Sequence, residues 1–155
     1  MLVLSLDTTT RFGSVGLVSE QKLLAEINYL SPSTHSRQVL EAIAAALRIA
    51  GIEFDQLQGL AVAAGPGSFT GIRIGLSLVK ALSLASGLPV ASVSSLQALA
   101  RKLLWPGVKM ISPVIDARKS EVFGCLYQVE NSKLKEIVPA GAYEPGQFLT
   151  RLPAG

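Results

Sequence analysis

The sequence predicts an α/β fold built from two related lobes, the second shorter than the first. Of the 155 residues, 49% are hydrophobic, 16% are charged and only 6% are aromatic. Aliphatic residues therefore dominate, as they do in packed helices and buried strands. Short apolar runs are followed by long helical stretches, which indicates βα units. A strand-like run that ends in aspartate occurs twice, and this repetition predicts the two lobes.

The first lobe is predicted to span residues 1–105. Residues 2–6, 14–19 and 22–30 have the pattern of a three-stranded antiparallel meander. After a break at residues 31–34, a βαβα arrangement is expected, in which glycine follows each of the first two helices. The expected elements are a helix at 35–50, a strand at 59–64, a helix at 70–86, a strand at 89–93 and a helix from 94–95 to about 104.

The second lobe is predicted to span residues 108–155 and to repeat the first meander. A strand at 110–115 ends at Asp116 as strand 2–6 ends at Asp7, and strand 121–129 contains Gly124 as strand 14–19 contains Gly16. This order suggests an internal duplication, although β-meanders also resemble one another without common origin. Few residues follow the third strand, so the second lobe is predicted to be truncated, with one sheet face uncovered and poor order beyond residue 145.

Duplicated lobes that each open with a strand ending in aspartate are the plan of the actin-like superfamily, whose fold is also described as ribonuclease H-like. In that fold the paired carboxylates face each other across a nucleotide cleft. The candidate cleft residues here are Asp7, Thr8, Thr9, Gly65, Gly67, Asp116 and Arg118.

The loop Gly65-Pro66-Gly67-Ser68-Phe69-Thr70-Gly71 joins a predicted strand to a predicted helix, a position at which backbone amides can bind an anion. It does not match a Walker loop, since residues 70–72 are Thr-Gly-Ile, and it does not match a dinucleotide fingerprint, since residue 70 is not glycine. Two interpretations stay open: an anion site, and a tight turn that caps and packs the helix.

The two long helices are more apolar than surface helices need to be. Arg73 and Lys80 are the only charged residues in 70–86, and alanine fills the remaining faces of 35–50. Burial under the second lobe is one explanation, and pairing between subunits is the interpretation that we favour. The predicted dimer interface consists of Leu40, Ile43, Leu47, Gly71, Ile74, Gly75 and Leu78, the two glycines allowing a partner helix to approach closely.

Several classes of function are disfavoured by the composition. The lone Cys125 cannot form an intramolecular disulfide, and His35 has Val39 rather than a second metal ligand four residues later. Neither a metal site nor a Ser-His-Asp triad is therefore predicted. The net charge is +3 without a dense basic patch, and no signal peptide or membrane span is evident, so we expect a cytoplasmic protein that does not bind nucleic acid directly.

Four motifs occur in a familiar order: Leu6-Asp7-Thr8, Thr34-His35-Ser36-Arg37, the glycine loop continuing to Gly75, and Ile115-Asp116-Ala117-Arg118. They resemble the bacterial dimerisation subunit of the tRNA threonylcarbamoyladenosine synthesis complex, the TsaB/YeaZ family. The chain departs from that family at Glu41, where proline is common, and by ending at Gly155, since members usually continue further.

The resemblance implies a non-catalytic scaffold of actin-like fold. It implies a homodimer alone, and a heterodimer with a catalytic actin-like paralogue in a complex that an ATPase subunit joins. That complex transfers threonylcarbamoyl to adenosine 37 of tRNAs reading codons that begin with A, with tRNA contacted only indirectly by this subunit. No tightly bound cofactor is expected, and ATP is a candidate ligand of the assembled complex. The alternatives are a small-molecule kinase or ATPase and, least favoured, a metallopeptidase.

Overall fold

In a computed structural model that describes residues 1–20, 22–31 and 36–153, the chain forms two compact units. Unit 1 comprises Met1–Val93 and unit 2 comprises Ser94–Gly155. This division differs from the predicted lobe limits of 1–105 and 108–155. The third helix packs on the second sheet, through Leu96 and Ala100, and therefore belongs to unit 2.

Unit 1 is built on a five-stranded sheet in the order β3-β2-β1-β4-β5. The strands β1 (Leu2–Asp7), β2 (Phe12–Ser19) and β3 (Lys22–Leu30) form the predicted antiparallel meander. The strands β4 (Gly59–Ala63) and β5 (Val90–Val93) add to β1 in parallel. The parallel pairs need long crossovers, and helices provide them.

The helices α1 (Ser36–Ala50) and α2 (Phe69–Ser86) pack with one face of this sheet, and a single 3₁₀ turn, Phe54–Gln56, lies between α1 and β4. Leu4 and Leu6 alternate along β1 toward the helices, and Leu17 and Val15 lie beside them on β2. Val39, Ala42, Ile43 and Ala46 supply the buried stripe of α1, while α2 buries Gly71, Gly75 and Val79.

Unit 2 contains α3 (Ser95–Lys102) and a second meander. Its strands are β6 (Met110–Ile111), β7 (Val114–Arg118), β8 (Glu121–Glu130) and β9 (Lys133–Tyr143). The predicted strand at 110–115 is two segments, because the buried Pro113 has no N–H for the ladder. The register nevertheless continues, since Ile111 faces Tyr127 and Val114 faces Gly124. Strand β9 pairs with the other edge of β8.

Both faces of β8 are covered, contrary to the expectation of a bare sheet face. On one side, Cys125 and Tyr127 pack with α3. On the other, Leu126 packs with Val138 and with Phe148 of α4 (Pro145–Leu149). The prediction of poor order beyond residue 145 is therefore wrong for 145–149. A Cβ at Gly124 would lie 2.7 Å from the Phe148 ring, so the glycine makes room for this helix.

Candidate functional site

The turn after β1 is organised by the carboxylate of Asp7. Its Oδ1 accepts hydrogen bonds from the backbone N–H of Thr9 at 2.8 Å and from the Thr9 hydroxyl at 2.7 Å. This is the Asx-type turn that a strand-end aspartate commonly makes. Thr8 and Thr9 are fully buried, although both are polar. Their burial requires partners from elsewhere in the fold.

The glycine loop supplies those partners. The Ser68 N–H donates to the Thr9 carbonyl oxygen at 2.6 Å, and the Thr8 hydroxyl donates to the Gly71 carbonyl oxygen at 2.7 Å. A Cβ at Gly67 or Gly71 would collide with the carbonyl oxygens of Thr9 and Thr8 respectively. These glycines are therefore needed because the β1–β2 turn and the loop approach each other at backbone distance.

This packing favours the capping interpretation of the loop over the anion interpretation. Ser68 is the N-cap of α2, its hydroxyl accepting from the Gly71 N–H at 3.3 Å, while its own N–H is used by Thr9. Two of the amides at the start of the helix thus have acceptors within the chain. Gly65 has a φ of 106°, in the region that favours glycine, and its peptide bond to Pro66 is cis.

A tyrosine lies near the same carboxylate. Burial, and to a smaller extent the negative charge of Asp7, raise the pKa of Tyr29 to about 12. The Tyr29 ring occupies the space beside Gly13, where a Cβ would collide with it. The Tyr29 ring therefore packs on β2, near enough to Asp7 for the carboxylate charge to affect its hydroxyl.

The Asp116 turn repeats the local geometry in unit 2 but is exposed. Asp116 Oδ1 accepts from the backbone N–H of Arg118 at 2.7 Å, two residues later, as Asp7 does from Thr9. Arg118, Lys119 and Ser120 all have φ between 51° and 65° and all are exposed.

The candidate cleft residues thus divide between the units. Asp7, Thr8, Thr9, Gly65 and Gly67 lie on two turns in unit 1 that touch each other, whereas Asp116 and Arg118 share a turn in unit 2. The nucleotide cleft stays a prediction.

The two helices of unit 1 form the second candidate site. A groove of about 420 Å³ lies between them. Leu40 and Val39 of α1 and Ile74 and Leu78 of α2 make it apolar, while Ser36, Thr70, Arg73 and Ser77 complete the lining. An apolar groove between neighbouring surface helices is a shape that another helix can fill.

The predicted interface residues fall into two groups. Leu40, Ile74 and Leu78 line the groove, while Ile43 is buried in the core and Leu47 packs against that core. The assignment of Gly71 and Gly75 to the interface is wrong, because both face the chain's own Thr8. A Cβ at Gly75 would lie 2.6 Å from the Thr8 hydroxyl oxygen. Their spacing reflects close packing of α2 on the β1–β2 turn, not an approach by a partner.

Helical spacing in the sequence places Arg73, Ser77 and Lys80 on one stripe of α2, but the predicted interface did not include Leu84 on that stripe. Leu84 is 78% exposed, and it follows Arg73, Ser77 and Lys80 at three- and four-residue intervals, so these side chains share one face. Continuing the same spacing by one more turn would have added Leu84 to the stripe.

Further features bear on the excluded classes. No three His, Cys, Asp or Glu side chains cluster together among the described residues. His35 and Thr34 lie outside the described residues, whereas Val39, four positions after His35, is buried. By length and composition α2 could cross a membrane, but it carries Arg73 and Lys80 within that span.

The family model described as "TsaD: tRNA N6-adenosine threonylcarbamoyltransferase" matches residues 29–155. The tRNA threonylcarbamoyladenosine biosynthesis protein TsaB of Bacillus subtilis is 37% identical over 90% of this chain, and the Haemophilus influenzae protein of the same name is 35% identical over 98%. The chain belongs to the TsaB/YeaZ family. It spans 60% and 68% of the length of these two relatives, and 55% of the Escherichia coli TsaB, which is 35% identical.

Solved structures agree with this assignment. The structure of YeaZ from Pseudomonas aeruginosa superposes with a TM-score of 0.86 at 26% identity, covering 99% of this chain and 81% of that one. A Thermus thermophilus ROK hexokinase superposes with a TM-score of 0.52 at 20% identity, covering 86% of this chain and 47% of its own. The second similarity concerns the fold alone, and it confirms the actin-like class predicted from the duplicated meanders.

Proposed function

We propose that this chain is a non-catalytic pairing subunit in tRNA threonylcarbamoyladenosine biosynthesis. Its TsaB relatives carry that pathway in their names. In this proposal the chain contributes no reacting group and no metal ligand. Its part is to hold a catalytic actin-like paralogue in the complex that modifies adenosine 37 of tRNAs reading codons that begin with A.

The observation that carries the proposal is the apolar outer surface of α1 and α2. Leu84 and Leu40 are 78% and 52% exposed, and Leu40 also lines the groove between the helices. A surface helix normally places polar residues opposite its buried stripe. Here leucines stand among the polar residues on that outer face, which is the arrangement expected of a helix with a partner on both sides.

The partner that fits this surface is another pair of helices. Two helices that flank a groove can interlock with an equivalent pair, and the four then form a bundle. We assign the partner as a second actin-like subunit: another copy of this chain when it is alone, and the catalytic paralogue in the working complex. The family model named for the transferase matches most of this chain, which supports a common fold for both members of the pair.

The proposal extends to the remaining parts of the complex. In it an ATPase subunit joins the pair, ATP is a candidate ligand of the assembled complex, and this chain contacts tRNA only indirectly. A kinase or ATPase activity of the chain itself is less well supported, since the Ser68 and Gly71 amides are used within the chain.

The double variant Leu40→Glu/Leu84→Glu tests the proposal. Both side chains are exposed, so the chain should keep its fold while charges enter the pairing surface. Light scattering should show monomers in place of dimers, and co-purification with the catalytic paralogue should fail. In a reconstituted tRNA modification assay, the variant should not support product formation.

The matched control is Val114→Glu/Ile137→Glu, which places the same two charges at exposed apolar residues of β7 and β9, in unit 2. It should pair and support modification as the unaltered chain does. If the Leu40→Glu/Leu84→Glu variant remains dimeric and still co-purifies with the paralogue, the helices are not the pairing surface and the proposal is wrong.

A further inference from the structure

The positive charge of the chain is concentrated on α1 and α2. Of its 14 basic and 11 acidic residues, these two helices hold four and one. The other ten basic and ten acidic residues cancel. The net charge of +3 therefore belongs entirely to the helix pair, and the rest of the chain is neutral.

All five charged side chains of the helix pair are exposed, and they lie on its outer side. On α1, Arg37, Glu41 and Arg48 follow Leu40 and Ala44 around the outer face, away from the buried stripe. On α2, Arg73 and Lys80 are seven residues apart and therefore two turns along the same face. The surface that we assign to pairing is consequently cationic as well as apolar.

Most of this charge is unneutralised. Arg37 pairs with Glu41 at 2.8 Å on the surface of α1. Within the described part of the chain, Arg48, Arg73 and Lys80 have no carboxylate within ion-pairing distance. The Arg73 guanidinium lies over the ring of Phe69, 4.7 Å from its centroid, which orients the side chain without reducing its charge. Arg73 thus lines the apolar groove, and Arg48 and Lys80 lie further along the outer faces of the same two helices.

We propose that these three cations, Arg48, Arg73 and Lys80, determine partner choice: they disfavour pairing between two copies of this chain and favour a partner whose helix pair is acidic. The inference rests on the proposed function. In a symmetric dimer the same patch meets itself, so two surfaces of net positive charge come together. A heterologous partner with carboxylates at the matching positions would meet attraction instead, and like-charge contact is a common device for rejecting a wrong partner.

The surface fits a protein partner better than a nucleic acid. The three cations are separated by leucines and alanines, and no other cation joins them from α1 or α2 apart from the ion-paired Arg37. A phosphate-binding surface depends on a dense row of basic residues, each neutralising one phosphate. Here one cation, Arg73, lines an apolar groove and the other two are exposed on the same helices, and apolar surface bordered by charge is the anatomy of a protein interface with a polar rim.

The experiment measures homodimer and heterodimer dissociation constants at about 50 mM and about 500 mM NaCl, where the screening length falls severalfold. The catalytic paralogue is the heterodimer partner. For the unaltered chain, salt should tighten the homodimer by about threefold or more and weaken the heterodimer by a similar factor. In Arg48→Gln/Lys80→Gln, both salt trends should shrink, the homodimer should tighten and the heterodimer should weaken at low salt.

Lys22→Gln/Lys135→Gln is the matched control, because it removes two charges from strands β3 and β9, outside the helix pair. It should leave both dissociation constants and both salt trends unchanged. Equal effects of the two double variants would overturn the inference, since total charge and not the helix surface would then decide affinity. So would a heterodimer that tightens with salt, or tRNA binding by the chain alone that disappears in Arg48→Gln/Lys80→Gln.

Failure of this inference is distinguishable from failure of the proposed function. If Leu40→Glu/Leu84→Glu abolishes both pairings while Arg48→Gln/Lys80→Gln changes neither, the helices form the interface but the cations do not choose the partner. If the leucine variant pairs normally, the proposed function itself is wrong.

Discussion

The two meanders contain the same kind of aspartate turn, which is enclosed by other segments in unit 1 and exposed to solvent in unit 2. In each, an aspartate Oδ1 accepts a backbone N–H two residues later, from Thr9 after Asp7 and from Arg118 after Asp116. Asp7 is the last residue of β1, as predicted, whereas β7 continues past Asp116 to Arg118. The first turn is sealed beneath a glycine loop. The second is exposed and has three successive non-glycine residues in the left-handed region.

The contrast between the buried and the exposed turn indicates the structural role of the glycine loop. The aspartate alone suffices to form the turn, because unit 2 forms it in solvent. Burial of Thr8 and Thr9 requires a second segment whose backbone can approach theirs, and Gly67 and Gly71 permit that approach. The loop that resembles a phosphate cradle is therefore occupied by the chain's own carbonyl groups in unit 1.

The largest effect is expected from Gly71→Ala, which should break the sealed turn. Its Cβ would collide with the Thr8 carbonyl oxygen, and neither backbone can yield easily. We expect the free energy of unfolding of unit 1 to fall by about 3 kcal/mol or more in urea denaturation. Gly75→Ala should cost about 1 kcal/mol, because it meets the end of the Thr8 side chain instead.

Ser77→Ala is the control for a change of helix propensity, since Ser77 is exposed on the same helix. Its effect should stay within about 0.5 kcal/mol. A Gly71→Ala chain as stable as the unaltered one would show that the loop does not seal the turn.

An intermediate effect should separate the two aspartates. Asp7 accepts two hydrogen bonds in a partly buried turn, while the exposed Asp116 accepts one. Asp7→Ala should therefore lower the free energy of unfolding by about 2 kcal/mol, and Asp116→Ala by less than about 1 kcal/mol. Native-state hydrogen exchange should show the Ser68 amide losing protection in Asp7→Ala alone.

Equal losses for the two aspartate variants would contradict the comparison, because burial would then make no difference to the same turn. Each variant serves as the control for the other, since both remove one carboxylate that accepts a backbone N–H two residues later.

The smallest effect is a stabilisation. Lys119 has a φ of 51°, and a non-glycine residue in that region is strained by roughly 1 kcal/mol. Lys119→Gly should therefore raise the free energy of unfolding of unit 2 by about 0.5 kcal/mol, after the greater backbone entropy of glycine is subtracted. Thermal unfolding followed by circular dichroism is sensitive enough to detect the change.

Ala117→Gly is the control in the same turn, because Ala117 does not have a positive φ. It should destabilise unit 2 by about 0.5 to 1 kcal/mol. If both glycines destabilise the unit equally, the left-handed turn stores no strain.

Local pattern was enough to predict most elements. Alternation in 2–6 and 22–30 and the glycines after both long helices led to β1, β3, α1 and α2 within one residue at each end. Prediction failed for elements whose limits or formation depend on contacts with residues distant in the sequence. The strand at 110–115 is interrupted at Pro113, and helix α4 forms where poor order was expected, because Phe148 packs on Gly124 of β8.

The candidate site was predicted in part for the same reason. Leu40, Ile74 and Leu78 line the groove as expected of apolar residues on two surface helices. Gly71 and Gly75 were assigned to the wrong side of α2. A glycine indicates that another group approaches the backbone closely, but it does not identify that group. The contact with Thr8 joins segments more than sixty residues apart in sequence, so no local window contains it.

The two meanders and the apolar character of the two helices were predictable from the sequence, because hydrophobic periodicity and turn chemistry act between near neighbours. The family was predictable from the resemblance of its motifs, and the actin-like class from the repeated order of strands and aspartates. The contacts of the glycine loop with Thr8 and Thr9, and the exposure of Leu40 and Leu84, became evident only in the folded chain. Burial depends on which segments meet, and that is a property of the folded chain as a whole.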